Sequence, residues 1–185
     1  MKRTILISLL LLSGLLAWSQ ELSKREQRQL IKQLKQEQRA EELAHQSALV
    51  KAMIEQHCFV LEAYQLRNTY GYTTQVNSSI NFVAADSVSG VIQIGQNAYV
   101  GANGVGGITV EGQISGYKYK QDPKNGTFTV NYHVSATGGN YDVRLVAFSD
   151  GRAEASISSN WPGTLTYVGN LVPPGISRVF KGRSL

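Results

Sequence analysis

Thr127-Phe128-Thr129-Val130-Asn131-Tyr132-His133-Val134-Ser135-Ala136 alternates polar and apolar side chains without a break. An extended chain turns successive side chains to opposite faces. Phe128, Val130, Tyr132, Val134 and Ala136 therefore share one face, and Thr127, Thr129, Asn131, His133 and Ser135 share the other. A strand of this kind needs one dry side and one wet side. The pattern returns downstream in Tyr141, Val143, Leu145 and Ala147, then in Ala153, Ala155 and Ile157, then in Leu165 and Tyr167. Upstream, Phe59 to Leu66, Ser79 to Ala85 and Val88 to Gly95 read as further strands.

Turn sequences separate these runs. Asp86-Ser87, Asp122-Pro123-Lys124-Asn125-Gly126, Gly138-Gly139-Asn140 and Asn160-Trp161-Pro162-Gly163 all carry turn-forming residues. Asp150-Gly151 reads as a two-residue hairpin loop of type I′, with both residues at positive φ. Ile108 to Lys120 is too long for a flat strand. Its apolar residues are even-numbered at Ile108, Val110 and Ile114 and odd-numbered at Tyr117 and Tyr119. The phase change places a bulge at Ser115-Gly116. Short links and no intervening helix give an antiparallel meander of about eight strands. Such a meander closes into a lipocalin-like β-barrel or folds into a β-sandwich. Gly90, Gly95, Gly112 and Gly169 favour the barrel, because tightly coiled corners use glycine.

What precedes the strands is of another kind. Seventeen of the eighteen glycines lie after residue 70, whereas Glu21 to Gln56 has neither Gly nor Pro and is rich in good helix formers. This stretch predicts an N-terminal α-helix. Leu30, Ile31 and Leu34 make a short stripe on its polar first half. Leu43, Ala44, Ala48, Met53 and Ile54 make a second stripe expected to dock on the strands. Gln27, Glu37, Gln38 and Glu41 interrupt any heptad register. The organisation read from the sequence is residues 1–19 as signal peptide, 20–57 as charged helical segment, 58–172 as barrel-like domain and 173–185 as basic tail. Lys2 and Arg3, the apolar run Ile5 to Leu16, and Ala17 and Ser19 at the −3 and −1 positions predict cleavage that leaves Gln20 first. With no cysteine at that site the lipoprotein route is closed. The expectation is an exported protein, periplasmic or secreted, with no transmembrane span after processing.

Charge excludes one class of partner. The net charge is +5, but residues 58–177 hold six basic and seven acidic side chains, so the folded part has no basic excess to follow a nucleic acid. The single cysteine, Cys58, excludes an internal disulfide and a thiolate-rich zinc site, and reads as a buried, unreactive thiol. His45, His57, His133 and Cys58 show no ligand spacing, so no metal and no cofactor is expected. Gly101 to Gly107 resembles a phosphate loop only in its glycines, because a strand and not a helix follows it. The carboxylates Glu62, Asp86, Glu111, Asp122, Asp142, Asp150 and Glu154 are not paired by spacing, and no Gly-x-Ser-x-Gly elbow exists. The aromatic residues are the positive hint. Tyr99, Tyr117, Tyr119, Tyr132 and Tyr167 are the candidate ligand-binding residues, set against ordinary strand packing.

Several short stretches together resemble a family of exported Bacteroidetes proteins, the domain-of-unknown-function 4251 family. They are Ile54-Glu55-Gln56-His57-Cys58-Phe59-Val60-Leu61-Glu62-Ala63, Asp86-Ser87-Val88-Ser89-Gly90 and Gly106-Gly107-Ile108-Thr109-Val110-Glu111-Gly112. Gly151-Arg152-Ala153, Ser158-Ser159-Asn160 and Tyr167-Val168-Gly169 follow in order. The likeness runs from about Val50 to Leu171. It departs after Gly90, where the family tends to carry a Leu-Pro-aromatic-aromatic-Gly run and this chain has Val91-Ile92-Gln93-Ile94-Gly95. The resemblance implies an exported β-barrel-like domain and brings no activity with it. The expected function is therefore non-enzymatic: binding of a small apolar or amphipathic ligand or of another envelope component. A hydrolase-type site hidden from the sequence and a purely structural interaction domain are the alternatives.

Overall fold

The computed structural model describes residues 24–96, 101, 103–160 and 162–184. The expected signal peptide and its cleavage site at Ser19-Gln20 lie outside the described residues, as does Tyr99. One helix, α1 (Lys24–Glu55), precedes nine strands: β1 (Cys58–Arg67), β2 (Thr73–Gln75), β3 (Phe82–Asp86), β4 (Ser89–Ile94), β5 (Ile108–Gln121), β6 (Phe128–Ala136), β7 (Gly139–Ala147), β8 (Arg152–Ser159) and β9 (Thr164–Val172). Every neighbouring pair is antiparallel. β1, β3, β4, β5, β6, β7, β8 and β9 follow one another around the sheet, and β9 pairs back onto β1 from Val60↔Val172 to Arg67↔Thr166. The meander is a closed eight-stranded barrel and not a sandwich.

The alternation in β6 is realised as read. Phe128, Val130, Tyr132 and Val134 are buried, whereas Asn131 and His133 are exposed. Their partners in β7, Val143, Leu145 and Ala147, face the same interior, as do Ala153, Ala155 and Ile157 of β8 and Tyr167 of β9. The bulge in β5 is also present. The register slips between Ser115 and Lys118, and Gly116 has φ +64°. A side chain there would be strained and would press on the His133 ring, so glycine is required. The extra residue turns Tyr117 onto the interior cluster beside Ile114. Gly112 and Gly169 mark the tightest coiling. A Cβ at either would lie 2.2 Å from the Ser135 carbonyl oxygen or 2.0 Å from that of Glu62.

Three readings are corrected, two in the strands and one in the helix. Asp150-Gly151 is not a type I′ loop. Only Gly151 has positive φ, Gly151 N–H donates to Phe148 O, and Phe148 N–H donates to Arg152 O. This is the three-residue loop in which a left-handed glycine makes the bulge, fixed by Asp150 accepting from Arg152 N–H and Nε. The strand expected from Ser79 starts only at Phe82, because Asn77 Oδ1 accepts from Ser79 N–H and Oγ and turns the chain there. β2 was unread. It is three exposed polar residues with no apolar alternation. The basic tail is bound to the barrel. Phe180 N–H donates to Ser79 O, Gln93 Nε2 to Phe180 O, and Gly182 N–H to Gln93 Oε1, while Lys181 pairs with Glu111. Gln93, Thr109 and Asn103 are buried beneath it in one hydrogen-bonded chain.

Residues 24–41 of α1 are exposed throughout and form a unit of their own. Residues 42–55 belong with the barrel. The expected docking stripe is half wrong: Leu43, Ala44 and Ala48 are exposed, and the buried residues are Val50, Met53 and Ile54. The stripe sits one turn later because only the last turns reach the barrel's interior cluster. His57 ends the helix in a left-handed conformation, φ +55°, which glycine ordinarily takes. Its ring stacks on Tyr117 with centroids 3.7 Å apart, and the Tyr117 hydroxyl donates to Ile54 O at 2.9 Å. Replacing Ile54 with Ala should lower unfolding free energy by about 2–5 kcal/mol, whereas Leu43→Ala should change it by no more than about 0.5. Urea denaturation of both variants checks this, and similar midpoints would show that the helix end is not part of the core.

Candidate functional site

The two ends of the barrel differ in construction. In an up-and-down barrel alternate connections lie at the same end. The α1–β1 junction, the β3–β4 turn, the β5–β6 loop and the β7–β8 loop share one end, which the last turns of α1 close. The β1–β3 connection, with β2 inside it, shares the other end with the β4–β5, β6–β7 and β8–β9 loops. No helix covers that end among the described residues, and it forms a mouth.

The mouth holds a cavity of about 390 Å³. Ile92, Val110 and Ile157 form its floor, with Ile94 and Leu165 beside them. They face inward near the mouth ends of their strands, paired as Ile92↔Val110 and Ile157↔Leu165. Asn68, Thr69, Tyr70, Tyr141, Ser158 and Thr164 stand at the rim. A second cavity of about 270 Å³ adjoins it under β2 and shares Asn68, Ile94 and Leu165. The lip is built by local hydrogen bonds. Asn68 Oδ1 accepts from the N–H groups of Tyr70 and Tyr72, at 2.9 and 3.0 Å, and so folds Asn68 to Tyr72 into a tight loop. Thr164 N–H donates to Thr69 Oγ1 at 2.7 Å, and that hydroxyl donates to Thr164 O at 3.2 Å. The loop is thereby tied to β9. Tyr70 is left 86% exposed and Tyr72 75% exposed, beside an apolar opening.

The tyrosines singled out from the sequence lie elsewhere. Tyr132 and Tyr167 are fully buried and fill the barrel interior. Tyr132 stacks against Tyr117 at 5.7 Å and meets Phe59 edge-on at 6.4 Å. Tyr167 donates to Gln93 O at 3.3 Å. Tyr117 belongs to the helix end, and Tyr119 is exposed on β5 and tilted against Phe128. None of these four lines the mouth, where Tyr70 and Tyr141 stand instead. Alternation alone separates rim from interior poorly, because inward tyrosines occur in both. Height along the barrel decides, and height follows from the register.

The other chemical candidates stay apart. Cys58 is half-buried at the start of β1, and His57 is stacked on Tyr117. His133 pairs across the strands with Asp142 on the outer wall. Among the described residues no three His, Cys, Asp or Glu side chains come together as metal ligands would. Asn103, in the glycine-rich stretch, accepts from the N–H groups of Val105 and Gly107, so these two donors are already used within the loop.

A closed up-and-down barrel with one sealed end and one apolar mouth defines the class of protein. The chain belongs to the family described as Domain of unknown function (DUF4251), whose model matches residues 41–171. Its fold is similar to the crystal structure, at 1.95 Å, of a DUF4251 family protein from Bacteroides eggerthii. That chain is 34% identical, the TM-score is 0.63, and the match covers 77% of this chain and 97% of that one. No curated protein matches. No helix among the described residues is long and apolar enough to cross a membrane.

Burial holds the hydroxyls of Tyr132, Tyr167 and Tyr117 protonated well above the usual tyrosine pKa of 10.0, with neighbouring tyrosines adding to the effect at Tyr132 and Tyr117. A pKa raised by folding contributes stability that is complete below the unfolded value and is lost as pH rises through the folded one. Unfolding free energy should therefore fall steeply from about pH 10 upward. The Tyr132 hydroxyl has no hydrogen-bond partner among the described residues. Tyr132→Phe should be neutral or stabilising near pH 8 and should reduce the alkaline loss. Denaturation curves at about pH 8 and about pH 11 test both statements.

Proposed function

We propose that the protein is an exported, non-enzymatic binder that takes a small apolar or amphipathic ligand in the mouth of its barrel. The observation that carries this reading is the cavity of about 390 Å³, floored by aliphatic side chains and rimmed by hydroxyl and amide groups. Pockets that hold small molecules have this size and this division between apolar walls and a few polar groups. The floor favours an apolar group, since each buried CH₂ contributes about 0.8 kcal/mol. Binding is preferred to hydrolysis because no Asp, Glu, His, Cys, Lys or Arg lines the cavity among the described residues, which leaves the Tyr70 and Tyr141 hydroxyls without a carboxylate or imidazole beside them there. A ligand donated by another envelope component would use the same opening.

Fluorescence titration with N-phenyl-1-naphthylamine tests the site. The wild-type protein should bind it with a dissociation constant of roughly micromolar order. Ile157→Trp should fill the cavity and abolish binding, with a stability loss limited to about 1–3 kcal/mol. Undiminished binding by a folded Ile157→Trp variant, or no binding by the wild type, would overturn the assignment.

Export is supported by Lys2 and Arg3, the apolar run Ile5 to Leu16, and the small residues Ala17 and Ser19. Mass spectrometry of protein recovered from outside the cytoplasm should find Gln20 at the N-terminus. A retained Met1 would contradict cleavage.

A further inference from the structure

The distribution of charge around the barrel ends sharpens the ligand class. Four connections lie at the mouth end: residues 68–81 between β1 and β3, 95–107 between β4 and β5, 137–138 between β6 and β7, and 160–163 between β8 and β9. None of the four contains an Asp, Glu, Lys or Arg. The sealed end is the reverse. Asp122 and Lys124 stand in its β5–β6 loop and Asp150 in its β7–β8 loop, flanked by Lys118, Lys120 and Arg152. One sequence has thus placed its loop charges at one end of the barrel only.

The charges nearest the mouth are held on the outer wall. Arg67, one residue before the lip, gives its Nη2 to Glu154 at 2.9 Å. Asp142, one residue after Tyr141, pairs with His133. The C-terminal tail brings Lys181 and Arg183 to the outer side of the β4–β5 loop. There they line a separate cleft with Gly101, Asn103 and Gly104, and Lys181 is paired with Glu111. No formal charge faces the cavity from any element that lines it among the described residues.

The rim instead offers hydroxyls and aromatic faces. Tyr70, Tyr141 and Ser158 stand above the aliphatic floor, and Tyr72 borders the adjoining cavity. Tyr, Ser, Asn and Gly loops are the composition that antibody combining sites use, because tyrosine supplies amphipathic contact area at low entropic cost. A charged head group drawn into such a rim loses water and meets no counter-charge, which is costly. An uncharged hydroxyl-bearing head can exchange its water for tyrosine and serine hydroxyls at little net cost.

We propose that the mouth selects an uncharged amphipath, with a hydroxyl-bearing head at the tyrosine rim and an apolar body on the Ile92, Val110 and Ile157 floor, and discriminates against head groups of either sign. This rests on the reading of the mouth as the binding site. Its test compares three probes of equal chain length below their micelle concentrations: octyl glucoside, octanoate and octyltrimethylammonium. Titration calorimetry on the full mature chain should rank octyl glucoside tighter than both ions by roughly tenfold or more. Ser159 faces inward beside Tyr141, and Ser159→Lys should bring octanoate level with or above octyl glucoside. Equal or tighter binding of either ion by the wild-type chain overturns the charge selectivity and leaves the mouth standing as an apolar site. Failure of all three probes overturns the mouth itself. The wild-type ranking decides the question whether or not the variant folds.

Discussion

The pairing of β1 with β9 is the contact on which the rest depends. Without it the sheet has two unpaired edges and a single apolar face open to water, and neither is tolerated in an isolated sheet. With it, Leu61 meets Leu171, Ala63 meets Gly169, and the apolar faces of eight strands enclose one core. Closure also demands tight coiling. Gly169, opposite Ala63, lets the β1 backbone approach to a distance that no Cβ would permit. The same closure fixes the parity of the connections, and parity gives the barrel two ends with different fates.

At one end the interior is full. Phe59, Phe128, Tyr132 and the last turns of α1 meet there, and the bulge at Gly116 swings Tyr117 inward to hold the helix carbonyl at Ile54. His57 keeps a left-handed backbone there against its own preference, offset by its stack on Tyr117. At the other end the cavity floor is aliphatic, and the β1–β3 and β4–β5 connections are long. β2 takes the edge of β1 that β3, starting at Phe82, leaves uncovered. The opening thus follows from where strands stop, and its apolar floor follows from the same alternation that builds the core.

The outer wall under the C-terminal tail shows a second use of polar residues. Gln93 and Thr109 stand on the outward face of their strands, where alternation places polar side chains. Yet they are fully buried, because the tail crosses over them. Burial is tolerable because the Gln93 amide donates to Ile80 O and Phe180 O and accepts from Gly182 N–H and Thr109 Oγ1. The basic tail becomes part of the folded unit through hydrogen bonds of its backbone that no side-chain pattern announces.

The sequence by itself determined eight of the nine strands, the bulge and the antiparallel meander, while closure into a barrel was decided by the β1–β9 pairing. Alternation with period two is a local property, and Val130 against Asn131 is legible without any neighbour. The Ser115-Gly116 phase change was legible for the same reason, as was the helix in its uniform composition. The positions of Val50 and Ile54 in the core, the burial of Gln93, and the choice of Tyr70 and Tyr141 over Tyr132 and Tyr167 for the mouth were decided only by tertiary structure. Each depends on which residues stand at the same height around a closed barrel. Register and closure set that height through contacts between segments as distant as Leu66 and Tyr167, which no local window contains.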